Sequence, residues 1–309
     1  DTSNTKNMEY MFSYCQSLQV LDISNFNLSL VKSMSYMFNS CKLLSSLYLP
    51  KMTNLSVINL SHMFSDCFSL LSLDLSNFDS SKVLYMDNLF SFCKGLSYIN
   101  LSNFNTQSVI DMQFMFLGCY SLNNLNLSSF NTEKVKLMNG MFHSCYSLKY
   151  LDLSNFNTYN IENMAFMFYK TKSITSLNIS NFNTEKTEKM HLIFNGCESL
   201  ISLDLSNFNT NRIKYMDGMF SDCSSLKFLN IINFNTSSIT SMGYLFNGCK
   251  SLIEIDLSNF DTSSTTSFEY MFSGCSALIK LDLKNFNTSK VINEKFIFLL
   301  FFFNKYKLI

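Results

Sequence analysis

Tryptophan is absent from this 309-residue chain, proline occurs once, histidine three times and glycine eight times. Charge of one sign is lacking too: Lys plus Arg and Asp plus Glu both number 23, so the formal net charge is zero. A nucleic-acid binder needs a basic face for the phosphate backbone, so neutrality argues against that class, and it supplies no attraction to an anionic membrane. The few glycines form no phosphate-cradling loop. The apolar run FIFLLFFF at 296–303 has eight residues, where a membrane span needs about 20, so no span is expected. Residues 1–20 show no basic start followed by an apolar core, and the chain as given is expected to be a fragment or a mature product. With 47% hydrophobic and 15% charged residues, the composition suits a packed core and not a disordered chain.

The cysteines stand at Cys15, Cys41, Cys67, Cys93, Cys119, Cys145, Cys197, Cys223, Cys249 and Cys275. Each lies 26 residues from the next except across one gap of 52, whose midpoint is Thr171. An insertion-free period of this length marks a solenoid or array. From the Cys, one unit reads C-x-S-L-x-x-L-D-L-S-N-F-N-T-x-x-V-x-x-M-x-x-M-F-x-x. In the unit from Cys197, Leu203 and Leu205 alternate with Asp204 and Ser206, which is strand periodicity with the leucines inward. Asn207 to Asn209 then turn the chain. Beyond them Ile213, Met216, Met219, Phe220 and Cys223 fall three, four or seven apart. That spacing predicts the stripe of a short helix, with Thr210 as its N-cap.

A unit this short cannot bury its apolar face alone. Stacked on its neighbours it can, because each column of like side chains becomes a continuous ladder. The Phe that closes M-x-x-M-F recurs in every register from Phe12 to Phe298, and the Phe of NF recurs from Phe26 to Phe286 with Met52 as the one substitute. These two columns are expected to be the spine of the core, with the Met column filling around them.

The recurring LDLSNF and MF-x-x-C-x-S-L blocks resemble the 26-residue repeat of bacterial and protist surface proteins related to the BspA-type leucine-rich repeats. The resemblance covers residues 1 to about 291. It implies a leucine-rich-repeat-like solenoid, display on a cell surface or secretion, a role in adhesion or host contact, and no catalytic residues. The expected fold is thus an α/β repeat. It is a right-handed solenoid of about eleven coils over residues 1–291, with a parallel sheet on one face and short helices on the other. Asp1-Thr2-Ser3 matches Asp261-Thr262-Ser263 in register, so the first unit is truncated. Residues 292–309 are a degenerate apolar tail, expected to cap the last coil; the alternative is the beginning of an anchor.

The cysteines include no C-x-x-C, and ligands in a straight column do not surround a metal, so no metal site is expected. Adjacent coils about 4.8 Å apart lie within reach of disulfides, and Thr171 splits the column into runs of six and four, which permits complete pairing. Side chains in a ladder point the same way, however, and a buried free Cys behaves as a small hydrophobe. Free, buried thiols are expected, with a paired column as the alternative. His62, His143 and His191 occupy different positions of the unit without a repeated carboxylate or hydroxyl partner. Neither a triad nor a general base follows, so the chain is not expected to be an enzyme or to carry a cofactor. The Asn of SNF forms a further ladder, from Asn25 to Asn285, suited to satisfying backbone groups of the turn and of the next coil.

One polar stripe admits a functional reading. The outward strand position holds Asp22, Asp74, Asp152, Asp204, Asp256 and Asp282 in six units, Asn in four and Tyr48 in one; beside it runs a serine row that includes Ser76, Ser154 and Ser206. Such a stripe either solvates an exposed sheet or forms the binding surface that solenoids offer. The leading expectation is a non-enzymatic interaction or adhesion module that meets a host or matrix protein or a glycan along this face. The alternative is a structural stalk with no specific ligand.

Overall fold

The computed structural model describes residues 1–53 and 55–298. Each repeat makes one coil of a parallel β-solenoid, and like positions of successive units lie side by side. Among the described residues there are eight three-residue strands: β1 (Val20–Asp22), β2 (Ser46–Tyr48), β3 (Ser72–Asp74), β4 (Tyr98–Asn100), β5 (Tyr150–Asp152), β6 (Ser176–Asn178), β7 (Ser202–Asp204) and β8 (Phe228–Asn230). They pair in parallel as β1–β2, β3–β4, β5–β6 and β7–β8, and the register joins equivalent residues, Leu203 with Leu229 and Asp204 with Asn230. A second row of parallel bridges runs from Asn7↔Ser33 to Ser267↔Asn293 on another side of the coil.

Two expectations are corrected here. Eight regular strands form where the period predicts about eleven coils, and they make four two-stranded sheets in place of one continuous sheet. The tripeptides at 124–126, 254–256 and 280–282 carry Asn, Glu, Lys and Asp at their outward positions, all residues that strands disfavour.

The second correction concerns the helices: none forms among the described residues. In the segment from Met34 to Cys41, alternate N–H groups leave the coil: Met34 donates to Asn59 O (3.0 Å), Tyr36 to Ser61 O (2.9 Å), Phe38 to Met63 O (2.9 Å) and Ser40 to Ser65 O (2.8 Å). The intervening N–H groups close four-residue turns: Met37 to Met34 O, Asn39 to Tyr36 O and Cys41 to Phe38 O, each at 3.1 Å. Tyr36 (φ 57°) and Ser40 (φ 59°) are left-handed, which no α-helix tolerates. Every residue with positive φ among those described falls in one of these two columns, from Tyr10 to Phe296 and from Tyr14 to Gly274. The three- and four-residue apolar spacing thus arises from consecutive turns, which bury the same side chains that a helix would.

Other corners of the coil are made by side chains that mimic a turn. In one coil the Oδ1 atoms of Asp152, Asn157 and Asn163 accept the N–H two residues on, from Ser154 (3.0 Å), Tyr159 (3.1 Å) and Ala165 (3.0 Å). Thr210, expected as a helix N-cap, instead clasps the next coil. Its buried hydroxyl donates to Asn235 O (2.8 Å) and accepts from Asn235 N–H (2.8 Å), and the same pair of bonds recurs along the Thr column.

The core is a set of ladders. Rings stack without a gap from Phe12 to Phe298, with centroids 5.4 to 5.9 Å apart. Such pairs contribute about 0.5–1.5 kcal/mol each beyond their burial. The NF column packs more loosely, at 6.3 Å for Phe182–Phe208. The buried thiols from Cys41 to Cys275 are each bonded to the preceding coil: Cys223 Sγ donates to Phe194 O (3.1 Å) and Cys249 Sγ to Phe220 O (3.1 Å). Thr171 keeps this bond with its hydroxyl, 2.8 Å from Phe142 O. The left-handed columns also interlock. The ring of Phe92 lies where a Cβ on Gly118 would be, 2.6 Å from Cδ1, and Phe114 covers Gly140 in the same way. Of the tail at 292–309, Ile292 still donates to Thr266 O (2.9 Å), while the cap expected from residue 299 onward lies outside the described residues.

Phe220→Ala is expected to cost about 3–5 kcal/mol through the cavity it leaves, read by chemical denaturation. Thr171→Cys restores the column and is expected to be close to neutral. Thr171→Val leaves the Phe142 carbonyl without that donor and is expected to cost about 1 kcal/mol.

Candidate interaction face

Alternation along each strand sends one side chain inward and its neighbours outward. Leu203 and Leu205 are buried and Asp204 is exposed between them. The six carboxylates of the stripe, Asp22, Asp74, Asp152, Asp204, Asp256 and Asp282, are all exposed, and Ser76, Ser154 and Ser206 are half-buried beside them.

The stripe has a structural task that its repetition only hinted at. Asp22, Asp74, Asp152, Asp204, Asp256 and Asp282 each accept the backbone N–H two residues on through Oδ1, at 2.8 to 3.0 Å. Asn100, Asn126, Asn178 and Asn230 do the same, so an amide and a carboxylate are interchangeable for the turn and differ only in charge. The N–H of Ser206, then its hydroxyl, hold the Asp204 carboxyl below the ordinary carboxylate range. At Asp256 the Ser258 hydroxyl leads, followed by its N–H. The row is therefore ionised at neutral pH.

Three of the six carboxylates share one groove. About 820 Å³ in volume, it lies across the outward face from β7 to the coil of Lys280 and holds Asp204, Asp256 and Asp282. Asp22, Asp74 and Asp152 lie outside it, as do Ser76, Ser154 and Ser206. Its floor and walls add residues that the stripe did not include: Phe228, Ile253, Glu254, Lys227 and Lys280. Phe228 is 67% exposed and Ile253 45% exposed. The signal was present in the sequence, since Phe228 holds an outward strand phase where Ser stands at Ser46, Ser72, Ser176 and Ser202. It was hidden because Phe elsewhere marks the core. Lys284 Nζ pairs with Asp282 (3.0 Å) at the groove's end.

Side chains set aside on sequence grounds are also placed. Asn207 Nδ2 donates to Ile179 O (3.3 Å) and Phe182 O (2.7 Å), so the Asn ladder satisfies the backbone of the preceding coil, where the next coil was also expected. His62 stacks on Tyr36 (4.4 Å) with Asp87 at 3.7 Å, His143 leans on Tyr169 and His191 meets the edge of Phe166; the three do not meet. The ten cysteines are free, with Cys15 exposed and the rest buried. Burial pushes the Cys41 thiol up to about 11 and those of Cys145, Cys223 and Cys275 up to about 12.

The family model described as "Mycoplasma protein of unknown function, DUF285" matches residues 1–48, 58–172, 147–228 and 222–305. No curated protein matches the chain. Among solved structures, a leucine-rich repeat protein from Eubacterium ventriosum is similar over 99% of this chain and 88% of its own, at 15% identity and a TM-score of 0.46. One from Bacteroides ovatus is similar over 94% and 87%, at 18% identity and a TM-score of 0.38. A leucine rich cell surface protein from Faecalibacterium prausnitzii is similar over 78% and 73%, at 19% identity and a TM-score of 0.38.

Titration of native protein with a thiol reagent is expected to label Cys15 and little else, and titration after denaturation without reductant to label all ten. The raised thiol pKa values also set a pH dependence. Unfolded thiols ionise near the ordinary value of 9.0 and the buried ones only near 12, so above pH 9 the unfolded chain binds fewer protons and stability falls as pH rises toward 12. Melting temperatures across that window are expected to decline, and a flat profile would refute the burial argument. Asp204→Ala is expected to lower the melting temperature by losing the turn, and Asp204→Asn to leave it unchanged.

Proposed function

The chain belongs to the DUF285 family, described as Mycoplasma protein of unknown function, and on that premise we propose that it is a non-enzymatic protein-interaction module. Its partner is extended and lies along the outward face of the strands. The observation that carries this reading is the groove from β7 to the coil of Lys280, where Phe228 and Ile253 stand exposed among carboxylates. Apolar side chains exposed together in one groove mark a contact surface. Repeated contacts on a rigid array gain by avidity, which favours a protein or glycan of some length over a small molecule.

Adhesion and display at a cell surface are the finer part of the proposal. They draw support from the resemblance of the LDLSNF and MF-x-x-C-x-S-L blocks to BspA-like surface repeats. A stalk without a ligand is the second reading. It is favoured by the fact that every Asp and Asn of the stripe is already used by a turn.

The two readings separate on arrays of glycans and matrix proteins probed with the wild-type chain and with Phe228→Arg. Phe228 points outward, so the variant is expected to keep its circular dichroism and melting temperature and to lose at least tenfold in affinity for whichever array ligand the wild type binds. Binding that survives the substitution would move the site to another side of the coil. Absence of any array ligand would favour the stalk.

A further inference from the structure

The groove's contents narrow the occupant further, on the premise that the outward face is a binding surface. Its exposed apolar elements are Phe228 and Ile253, and beyond the groove Tyr150, at the repeat position of Phe228 three coils earlier, is 55% exposed. Polyproline II segments dock on exposed aromatic rings, and Phe228 is the aromatic side chain that lines this groove. The charge along the outward face is patterned: from Asp152, outside the groove, through Asp204 to Asp256, carboxylates alternate with the amides Asn178 and Asn230 in successive coils, and Asp282 follows in the next coil. The turn accepts Asn as readily as Asp, and across coils Asn178 Nδ2 also donates to Asp152 Oδ1 (2.9 Å), so the amides both separate and bridge the carboxylates.

The spacing discriminates among partners. With coils about 4.8 Å apart, carboxylates in every second coil repeat at about 9.6 Å. A polyproline II helix has three residues per turn and rises about 3.1 Å per residue, so every third side chain returns to one face after about 9.3 Å. A β-strand returns every second residue, at about 6.7 Å. An α-helix returns after seven, at about 10.5 Å, and is out of step by about 2 Å over two intervals. Lys227 and Lys280 stand in the same groove, so a chain charged at every residue meets like charge there, while one charged at every third residue need not.

We propose that the outward face binds a polypeptide segment in the polyproline II conformation that carries Lys or Arg at every third residue. The segment runs along the solenoid axis, its cations facing Asp152, Asp204 and Asp256 and its prolines packing on Phe228 and Ile253. Charge complementarity selects the cation and its period, and the exposed rings select the conformation.

The test uses the full chain and three labelled peptides of equal composition, read by fluorescence anisotropy. In one, five Lys-Pro-Pro triplets repeat; in the second the five lysines are contiguous; in the third they are irregularly spaced. The first is expected to bind at least tenfold more tightly than the others. The triple variant Asp152→Asn, Asp204→Asn, Asp256→Asn keeps every turn and so its fold, checked by melting temperature, and is expected to lose at least tenfold for the triplet peptide. Phe228→Ala is expected to lose several-fold. Equal binding of the three peptides, or a triple variant that binds as wild type, overturns the proposal. If no peptide binds while an array ligand is lost in Phe228→Arg, the occupant is a glycan or a different protein segment: the polyproline assignment falls and the face remains a binding surface. If neither is seen, the polyproline assignment and the binding face both fall, and the stalk remains.

Discussion

Each coil passes every second backbone N–H of its turn segment to a carbonyl of the next coil, and everything else in the molecule depends on that exchange. From Met34 to Ser40 the outward donors are the even-numbered residues, and the odd ones close turns within the coil. A buried amide without a partner is costly. An insertion of one residue would exchange the two sets, directing outward donors inward and the reverse. This explains why the 26-residue period runs from Cys15 to Cys275 without a single insertion. It also explains the two left-handed positions per coil, since alternating donation requires the chain to turn back at Tyr36 and again at Ser40.

Much of the architecture was readable because a solenoid writes its contacts as a period. The Phe ladder, the inward leucines and the buried Cys column followed from spacing alone, and Thr171 fits because a hydroxyl replaces a thiol as donor to the same carbonyl. The helices were misread because consecutive four-residue turns place Ile213, Met216, Met219, Phe220 and Cys223 on one side just as a helix does. Periodicity reports which side chains are buried and is blind to the sign of φ. Residues such as Tyr36, His62 and Lys170 occupy left-handed backbone without being glycine, so even the usual marker of that conformation was missing.

The outward stripe shows how one residue type can serve two ends. Every Asp and Asn in it caps a turn, which accounts for its regularity, and the choice between the two remains free because both accept the same N–H. The turn therefore leaves Asp and Asn interchangeable, while an amide beside a carboxylate adds a bond between coils, as Asn178 Nδ2 gives Asp152 Oδ1 (2.9 Å). The sequence located the six carboxylates but missed Phe228 and Ile253. An apolar residue in a chain with 32 phenylalanines reads first as core, and only the strand's alternation places it outside.

The nesting of Phe92 over Gly118 and of Phe114 over Gly140 bears on how such an array can grow. Coils that look alike in their ladders are not interchangeable at these positions, because a bulky ring in one is matched by a missing side chain in the next. Losing the coil of Gly118 alone would bring the ring of Phe92 against the side chain at Ser144. Duplicating the neighbouring units as a block carries lock and key together. The unit of inheritance in this stretch is thus larger than the unit of folding, and lengthening of the array by recombination is expected to proceed in runs of coils whose borders fall outside these nested pairs.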